Sequence, residues 1–243
     1  EEIKKHNLKI RKAGIYDNAY ILENAKEEDL ESLDCYREGG IYLQSLSSMM
    51  PPLKMDLIPG HAVLDMAAAP GGKTTEMAAL SMNKVSITAC ELNKIRANRL
   101  KFNVDMQGAS SVFVMNTDAR RLDDFFSFDE ILLDAPCSGS GTRSYTEEGL
   151  KGLGEELVAK SVKSQETLLK QAYKHLKKNG TMVYSTCSIF KCENEELVLK
   201  ALKGKKYEII PISFNDDNLE LLPSTIDGAL TIMPNAYYEG FFM

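Results

Sequence analysis

Two cysteines lie in polar turns, in Asp134-Ala135-Pro136-Cys137-Ser138-Gly139 and in Tyr184-Ser185-Thr186-Cys187-Ser188. The ordinary place of a cysteine is that of a small buried hydrophobe, and that reading suits Cys35, Cys90 and Cys192. Cys137 and Cys187 differ because Gly, Ser and Thr surround them rather than an apolar run. A free thiol with a pKa near 8.5 is only a few per cent thiolate at pH 7, so a nucleophilic cysteine needs a cationic or hydrogen-bonding neighbour. Metal binding is not expected. There is no C-x-x-C pair, Cys187 and Cys192 are too far apart for the usual knuckle, and His6, His61 and His175 stand alone.

A second chemical feature is the loop Leu64-Asp65-Met66-Ala67-Ala68-Ala69-Pro70-Gly71-Gly72-Lys73-Thr74. Its small residues let a ligand approach the backbone, and the helix it opens offers free N–H groups. Two nucleotide-binding readings compete. As a P-loop, Gly72-Lys73-Thr74 matches the end of the motif and Asp134, after Ile131-Leu132-Leu133, would hold magnesium; Ala67 then stands where the first glycine belongs. As an adenosine site, the loop calls for an acidic residue at the end of the next strand to take ribose hydroxyls. Glu91 is there. Asp118, just past the third strand, is placed for an adenine amino group, for which a P-loop has no use. Loop, Glu91, Asp118 and Asp134 at four successive strand ends favour the adenosine site.

An adenosine cofactor, an aspartate and a cysteine in one pocket suit one demanding reaction. C5 of a pyrimidine is too poor a nucleophile to take a methyl group unaided. A thiolate adding at C6, helped by a carboxyl group hydrogen-bonded at N3, makes C5 enamine-like and able to attack a methyl sulfonium. A further group must then help remove the C5 proton and expel the enzyme. Asp134, Cys187 and Cys137 are of the right types.

The elements that would position these groups alternate. Ala62 to Met66 reads as a strand and Lys73 to Leu80 as a helix. Val85 to Cys90 follows as a strand, then Asn93 as N-cap of a helix over 95–106 closed by Gly108. Val112 to Met115 and Phe128 to Leu133 are further strands. Val162, Leu169, Ala172, Tyr173 and Leu176 recur at helical spacing up to Asn179-Gly180, before a strand over 182–185. Parallel strands need crossover connections, so this alternation predicts a parallel sheet with helices on both faces and a ligand beyond the carboxyl ends of the strands.

The 243 residues, 44% hydrophobic and 26% charged, exclude disordered and fibrous classes. No stretch is long and apolar enough for a membrane span and the start lacks a signal-peptide core, so a soluble, cytoplasmic protein with reduced thiols is expected. The net charge of −6 argues, at face value, against a strongly basic nucleic-acid binder. Basic residues are nevertheless clustered: Lys4, Lys5, Lys9, Arg11 and Lys12, then Lys94, Arg96, Arg99, Lys101, Arg120 and Arg121. Such patches can hold phosphates despite an acidic total, or simply form solvated faces. Residues 1–52, basic, then acidic, then polar up to Pro51-Pro52, read as an N-terminal extension, and residues 53–243 as the catalytic domain.

With these residues in view, the chain resembles the RNA cytosine-5 methyltransferases of the Sun (Fmu, nucleolar-protein) family. The resemblance rests on Val63-Leu64-Asp65 with Ala68 to Thr74, on Asp134 to Gly139, and on Ser185 to Ser188 followed by Glu193-Asn194-Glu195. Tyr42-Leu43-Gln44, Ser47-Ser48-Met49, Ser164-Gln165 and Glu239 to Phe242 match as well, so the motifs span residues 42 to 242. It implies an α/β, Rossmann-like methyltransferase sheet of seven strands, mostly parallel, with an antiparallel last strand ending in the Phe-Phe pair. It implies S-adenosylmethionine lying against Ala67, Ala68, Ala69, Pro70, Gly71, Gly72, Lys73, Glu91, Asp118 and Asp134. It makes Cys187 the nucleophile and Cys137 the residue that assists product release, whereas DNA cytosine methyltransferases carry the nucleophile in the Pro-Cys motif. The implied substrate is RNA, ribosomal first and transfer RNA next. Ala67 replaces a cysteine common among relatives. The RNA-binding domain that relatives usually carry is not found within these residues and is expected outside this chain. A P-loop nucleotide hydrolase and an RNA-binding protein with a non-catalytic cofactor pocket are the alternatives.

Overall fold

In a computed structural model that describes residues 2–144 and 146–243, apart from the side chain of Lys4, the apolar segments of the middle of the chain line up as a parallel sheet. Lys4, one member of the basic cluster, thus lies outside the described side chains. Before the sheet come α1 (Glu2–Lys5), the antiparallel hairpin β1 (Ile10–Lys12) and β2 (Tyr20–Leu22), and three single-turn helices, α2 (Glu27–Leu30), α3 (Asp34–Arg37) and α4 (Leu46–Met49). The α/β unit follows: β3 (Ala62–Asp65), α5 (Gly72–Leu80), β4 (Ser86–Cys90), α6 (Lys94–Met106), β5 (Val112–Met115), β6 (Phe128–Asp134), α7 (Glu155–His175), β7 (Leu176–Ser185) and α8 (Glu195–Ala201). The strand order is β5-β4-β3-β6-β7, all parallel.

Alternation along the strands divides the core. Val63, Ile87, Ala89 and Leu132 face a layer containing Met77 of α5 and Leu100 and Val104 of α6. Leu64, Cys90, Ile131 and Leu133 face Leu168, Leu169 and Ala172 of α7 and Leu197 and Ala201 of α8. Both faces of the sheet are therefore covered, as a parallel sheet requires. Each fully buried Leu or Ile contributes roughly 1.5–3 kcal/mol of apolar transfer. Asn93 caps α6 by accepting from the amides of Ile95 and Arg96, and Gly108 leaves that helix at φ +62°.

Two expectations are corrected. The long helix ends at His175 rather than at Asn179-Gly180, because Leu176 already pairs with Phe128; Asn179, at φ +64°, takes up an irregularity in the β6–β7 register inside the strand. Among the described residues the main sheet has five strands rather than seven. The C-terminal segments are two-residue strands, β8 (Leu221–Leu222), β9 (Thr231–Ile232) and β10 (Phe241–Phe242), in a separate antiparallel sheet. Pro223 follows β8 directly and Pro234 closely follows β9, and a residue without an N–H cannot extend a ladder. Phe242 meets the main sheet at one antiparallel bridge, exchanging two hydrogen bonds with Thr186 at 3.0 and 2.9 Å.

Candidate active site

β3 has its neighbours β4 and β6 on opposite sides, and the crossovers leaving β3 and β6 run in opposite directions. The crevice beyond the carboxyl ends of these two strands is where such a sheet opens a ligand site. A cavity of about 260 Å³ lies there, lined by Asp65 and Asp134 at the two strand ends, by Ala67, Ala68, Ala69, Pro70, Gly72 and Lys73 of the loop, and by Tyr42, Leu43, Gln44 and Ser48. The loop is fixed from outside: Arg96 donates to the Ala69 carbonyl at 2.7 Å and Asn103 to that of Pro70 at 2.7 Å. Gly71 turns the chain into α5 at φ +114°, a conformation that L side chains rarely adopt. A Cβ on Gly72 would come within 2.5 Å of Gln44 Oε1 and 2.9 Å of the Tyr42 ring. Among the described residues, three buried oxygens at or next to this cavity have no hydrogen-bond partner: Asp65 Oδ1, Gln44 Oε1 and Glu76 Oε1. Asp65 accepts from the Thr74 hydroxyl at 2.7 Å, and burial lifts its carboxyl to about 6. Burial lifts Glu76, which accepts from the Gln44 amide, to about 8.

At one end of the cavity the Lys73 ammonium lies 2.7 Å from Asp134 Oδ2 and donates to Ser48 at 2.6 Å. The other Asp134 oxygen accepts from Ser185 at 2.8 Å. Beyond β6 and β7 the sulfurs of Cys137 and Cys187 are 3.0 Å apart. The Gly141 amide donates to the Cys187 carbonyl at 3.0 Å, so the two turns are laced together. The thiols are not equivalent. The hydrogen bond from Cys137 holds Cys187 below the ordinary thiol range with Lys73 assisting, against burial and the Asp134 charge. The same bond, with burial, holds Cys137 well above it. The arrangement is two cysteine sulfurs in contact, the Cys187 one the more readily ionised, next to a lysine–aspartate pair at the edge of a pocket. Cys90, wholly buried, is raised to about 12 by burial; Cys35 and Cys192 are half-buried and also raised, by burial first.

Loop residues 67–73, Asp134, Cys137 and Cys187 are thus gathered at one end of the sheet. Glu91 and Asp118 are at neighbouring strand ends but do not line the cavity. Glu91 is buried and accepts from the Asn93 amide at 2.8 Å, with Arg96 at 3.5 Å. Both Asp118 oxygens bind Arg120, which holds that carboxyl below its ordinary range. As for the P-loop alternative, Asp134 is engaged by Lys73 and Ser185. Sequence reasoning did not pick out Tyr42, Gln44, Ser48, Asp65 or Glu193 for a role. The signals available were the polar stretch before Pro51 and an aspartate ending an apolar strand.

A family model described as 16S rRNA methyltransferase RsmB/F matches residues 52–243. The chain is 34% identical over 241 residues to Ribosomal RNA small subunit methyltransferase F of Shewanella piezotolerans, covering 93% of this chain and 50% of that protein. It is 38% identical over 212 residues to the protein of the same name from Vibrio vulnificus, covering 84% and 45%. It therefore spans about half the length of these curated relatives. Among solved structures, NSun6 from Pyrococcus horikoshii with SFG superposes at a TM-score of 0.73 with 32% identity, over 88% of this chain and 54% of that one. A methyltransferase homologue from the same organism superposes at 0.80 with 31% identity, over 99% and 78%.

Proposed function

This chain belongs to the 16S rRNA methyltransferase RsmB/F family, with a Rossmann-like methyltransferase fold, and on that footing we propose that it methylates C5 of a cytosine in RNA, ribosomal RNA first and transfer RNA next. The observation that carries the reading is the 3.0 Å pairing of the Cys137 and Cys187 sulfurs beside the Lys73–Asp134 pair. S-Adenosylmethionine, when bound, supplies an electrophilic methyl group. The cavity suits it: the backbone of Ala67 to Gly72 lies open to a ligand, Gly72 leaves room that a side chain would fill, and Asp65 Oδ1 is a free buried acceptor for an ammonium. SFG, the compound crystallised with NSun6, is an analogue of that cofactor. Glu91 and Asp118, at the adjoining strand ends, are assigned to the adenosine portion.

The chain's own residues divide the remaining work. The Cys187 thiolate adds to C6, and the electron pair displaced from the C5–C6 bond makes C5 nucleophilic. Asp134, oriented by Lys73 and Ser185, holds the base at N3. Once C5 carries the methyl group, a base takes the C5 proton, the electron pair of that C–H bond restores the C5–C6 double bond, and Cys187 leaves as thiolate. Cys137, in hydrogen-bond contact with that sulfur, assists the release. The cytosine must be unstacked to reach these groups.

Titration calorimetry tests the cofactor: S-adenosylmethionine binds, and tight binding of ATP with magnesium but none of S-adenosylmethionine would overturn the reading. Transfer of labelled methyl to small-subunit ribosomal RNA, located by bisulfite mapping, tests the substrate. No label in any RNA despite cofactor binding would favour the non-catalytic alternative.

A further inference from the structure

The carboxylate of Glu193 is completely buried just after the Cys187 turn, and among the described residues no Lys, Arg or His forms an ion pair with it. Its charge is met by four donors instead. Oε1 accepts from the Ser138 amide at 2.8 Å and from Gln165 Nε2 at 3.3 Å. Oε2 accepts from the Ser138 hydroxyl at 2.5 Å and the Ser188 hydroxyl at 2.6 Å. Ser138 directly follows Cys137, and Ser188 directly follows Cys187. One oxygen atom therefore ties together the two residues that flank the two sulfurs. The tie is reinforced: Ser188 Oγ also meets Ser140 Oγ at 2.9 Å, Gln165 donates to the Pro136 carbonyl at 3.0 Å, and Tyr184 donates to the Glu193 carbonyl at 2.7 Å.

An anion buried this deeply is costly unless its lone pairs are filled, and here four hydrogen bonds fill them. Yet nothing in the packing of α7 against α8 requires a carboxylate at this point, since the helices meet through Leu168, Leu169, Leu197 and Ala201. The cost is explained by what the carboxylate joins. The two turns come from different strands, and a sulfur–sulfur hydrogen bond needs both to be fixed to a fraction of an ångström; the carboxylate adds to the Gly141–Cys187 and Ser140–Ser188 links a tie at the residues directly next to the sulfurs.

We propose that Glu193 is the positioning residue of this site: by binding Ser138 and Ser188 through one carboxylate, it holds the Cys137 and Cys187 turns together and sets the contact between their sulfurs. The proposal rests on the reading of Cys187 as nucleophile with Cys137 as its partner, but the contact can be measured without RNA. In Glu193→Gln the Ser138 and Ser188 hydroxyls must turn round to accept from an amide, and the short bonds they donate to a carboxylate oxygen are lost, so the tie loosens.

The test is the pH profile of Cys187 alkylation by iodoacetamide in the whole chain, read on the Cys187 peptide by mass spectrometry, for wild type, Glu193→Gln and Ser188→Ala. The proposal expects the midpoint to move up in Glu193→Gln, because Cys187 loses the Cys137 thiol as a donor, and to move up less in Ser188→Ala, which cuts one arm only. Methyl transfer should show kcat reduced about a hundredfold, the scale of an ångström-sized misplacement, with KM for S-adenosylmethionine unchanged. Unchanged midpoints in both variants overturn the proposal while leaving the methyltransferase reading intact. If Glu193→Gln does not fold, Ser188→Ala decides: a wild-type midpoint sinks the idea and a raised one supports it. A wild-type protein that methylates no RNA would count against the reading alone, since the alkylation profiles do not depend on turnover.

Discussion

Cys137 and Cys187 are separated by 50 residues and lie one hydrogen bond apart. At this scale the types were legible: polar, Gly- and Ser-rich surroundings set these thiols apart from Cys90. What their spacing could not convey is the asymmetry between them, which arises because one thiol donates to the other within reach of Lys73. The asymmetry gives an expected pair of outcomes. Cys187→Ala abolishes methyl transfer, whereas Cys137→Ala leaves a covalent protein–RNA adduct that survives a denaturing gel. An adduct with the first variant and none with the second would exchange the two roles. Glu193 was legible only as part of the Glu193-Asn194-Glu195 match that follows the Cys187 turn; that its carboxylate lies wholly inside depends on four donors, three of them from the distant Ser138 and Gln165.

At the scale of elements, the loop between β3 and α5 works because it is narrow. Gly72→Ala places a methyl against Gln44 and Tyr42, which costs about 1–3 kcal/mol of stability by overpacking and should weaken S-adenosylmethionine binding at least tenfold in calorimetry. Unchanged affinity would remove this cavity as the cofactor site. The next turn of α5 carries Glu76, raised from 4.5 to about 8 by burial. The folded state therefore holds a proton that the unfolded chain has released between pH 4.5 and 8, and stability falls as pH rises through that window. Asp65, raised only to about 6, completes its change lower down. Melting temperature should thus decline from about pH 6 to about pH 8 in the wild type and less steeply in Glu76→Gln; parallel slopes would show that Glu76 titrates normally.

At the scale of the whole molecule, residues before the boundary expected at 52 take part in the site. Ser48 holds Lys73, Gln44 meets Glu76, Ser47 donates to the Glu239 carbonyl at 2.8 Å, and Leu46 and Met50 are in the core. A chain shortened to residues 53–243 should consequently melt several degrees lower, at about 4 °C or less per kcal/mol lost, and lose measurable cofactor binding. Full binding by the shortened chain would make the first segment a dispensable extension. Charge behaves similarly on this scale. The basic residues counted along α6 are partly consumed locally, Arg96 by Ala69 and Glu91, and Lys101 by Asp105, which leaves Lys94 and Arg99 exposed on that helix.

Legible from residue order alone were the alternating α/β pattern, the parallel sheet covered on both faces, the glycine loop and the two cysteine turns. These depend on periodicity, turn chemistry and motif spacing, all of which act over a few residues. The five-strand order among the described residues, the closing of the cavity by Tyr42, Gln44 and Ser48, and the Glu193 bonds to both turns emerge with the fold in three dimensions. Those outcomes depend on contacts between residues far apart in the chain, where proline-interrupted segments, buried carboxylates and facing donors are settled by three-dimensional proximity rather than by local preference.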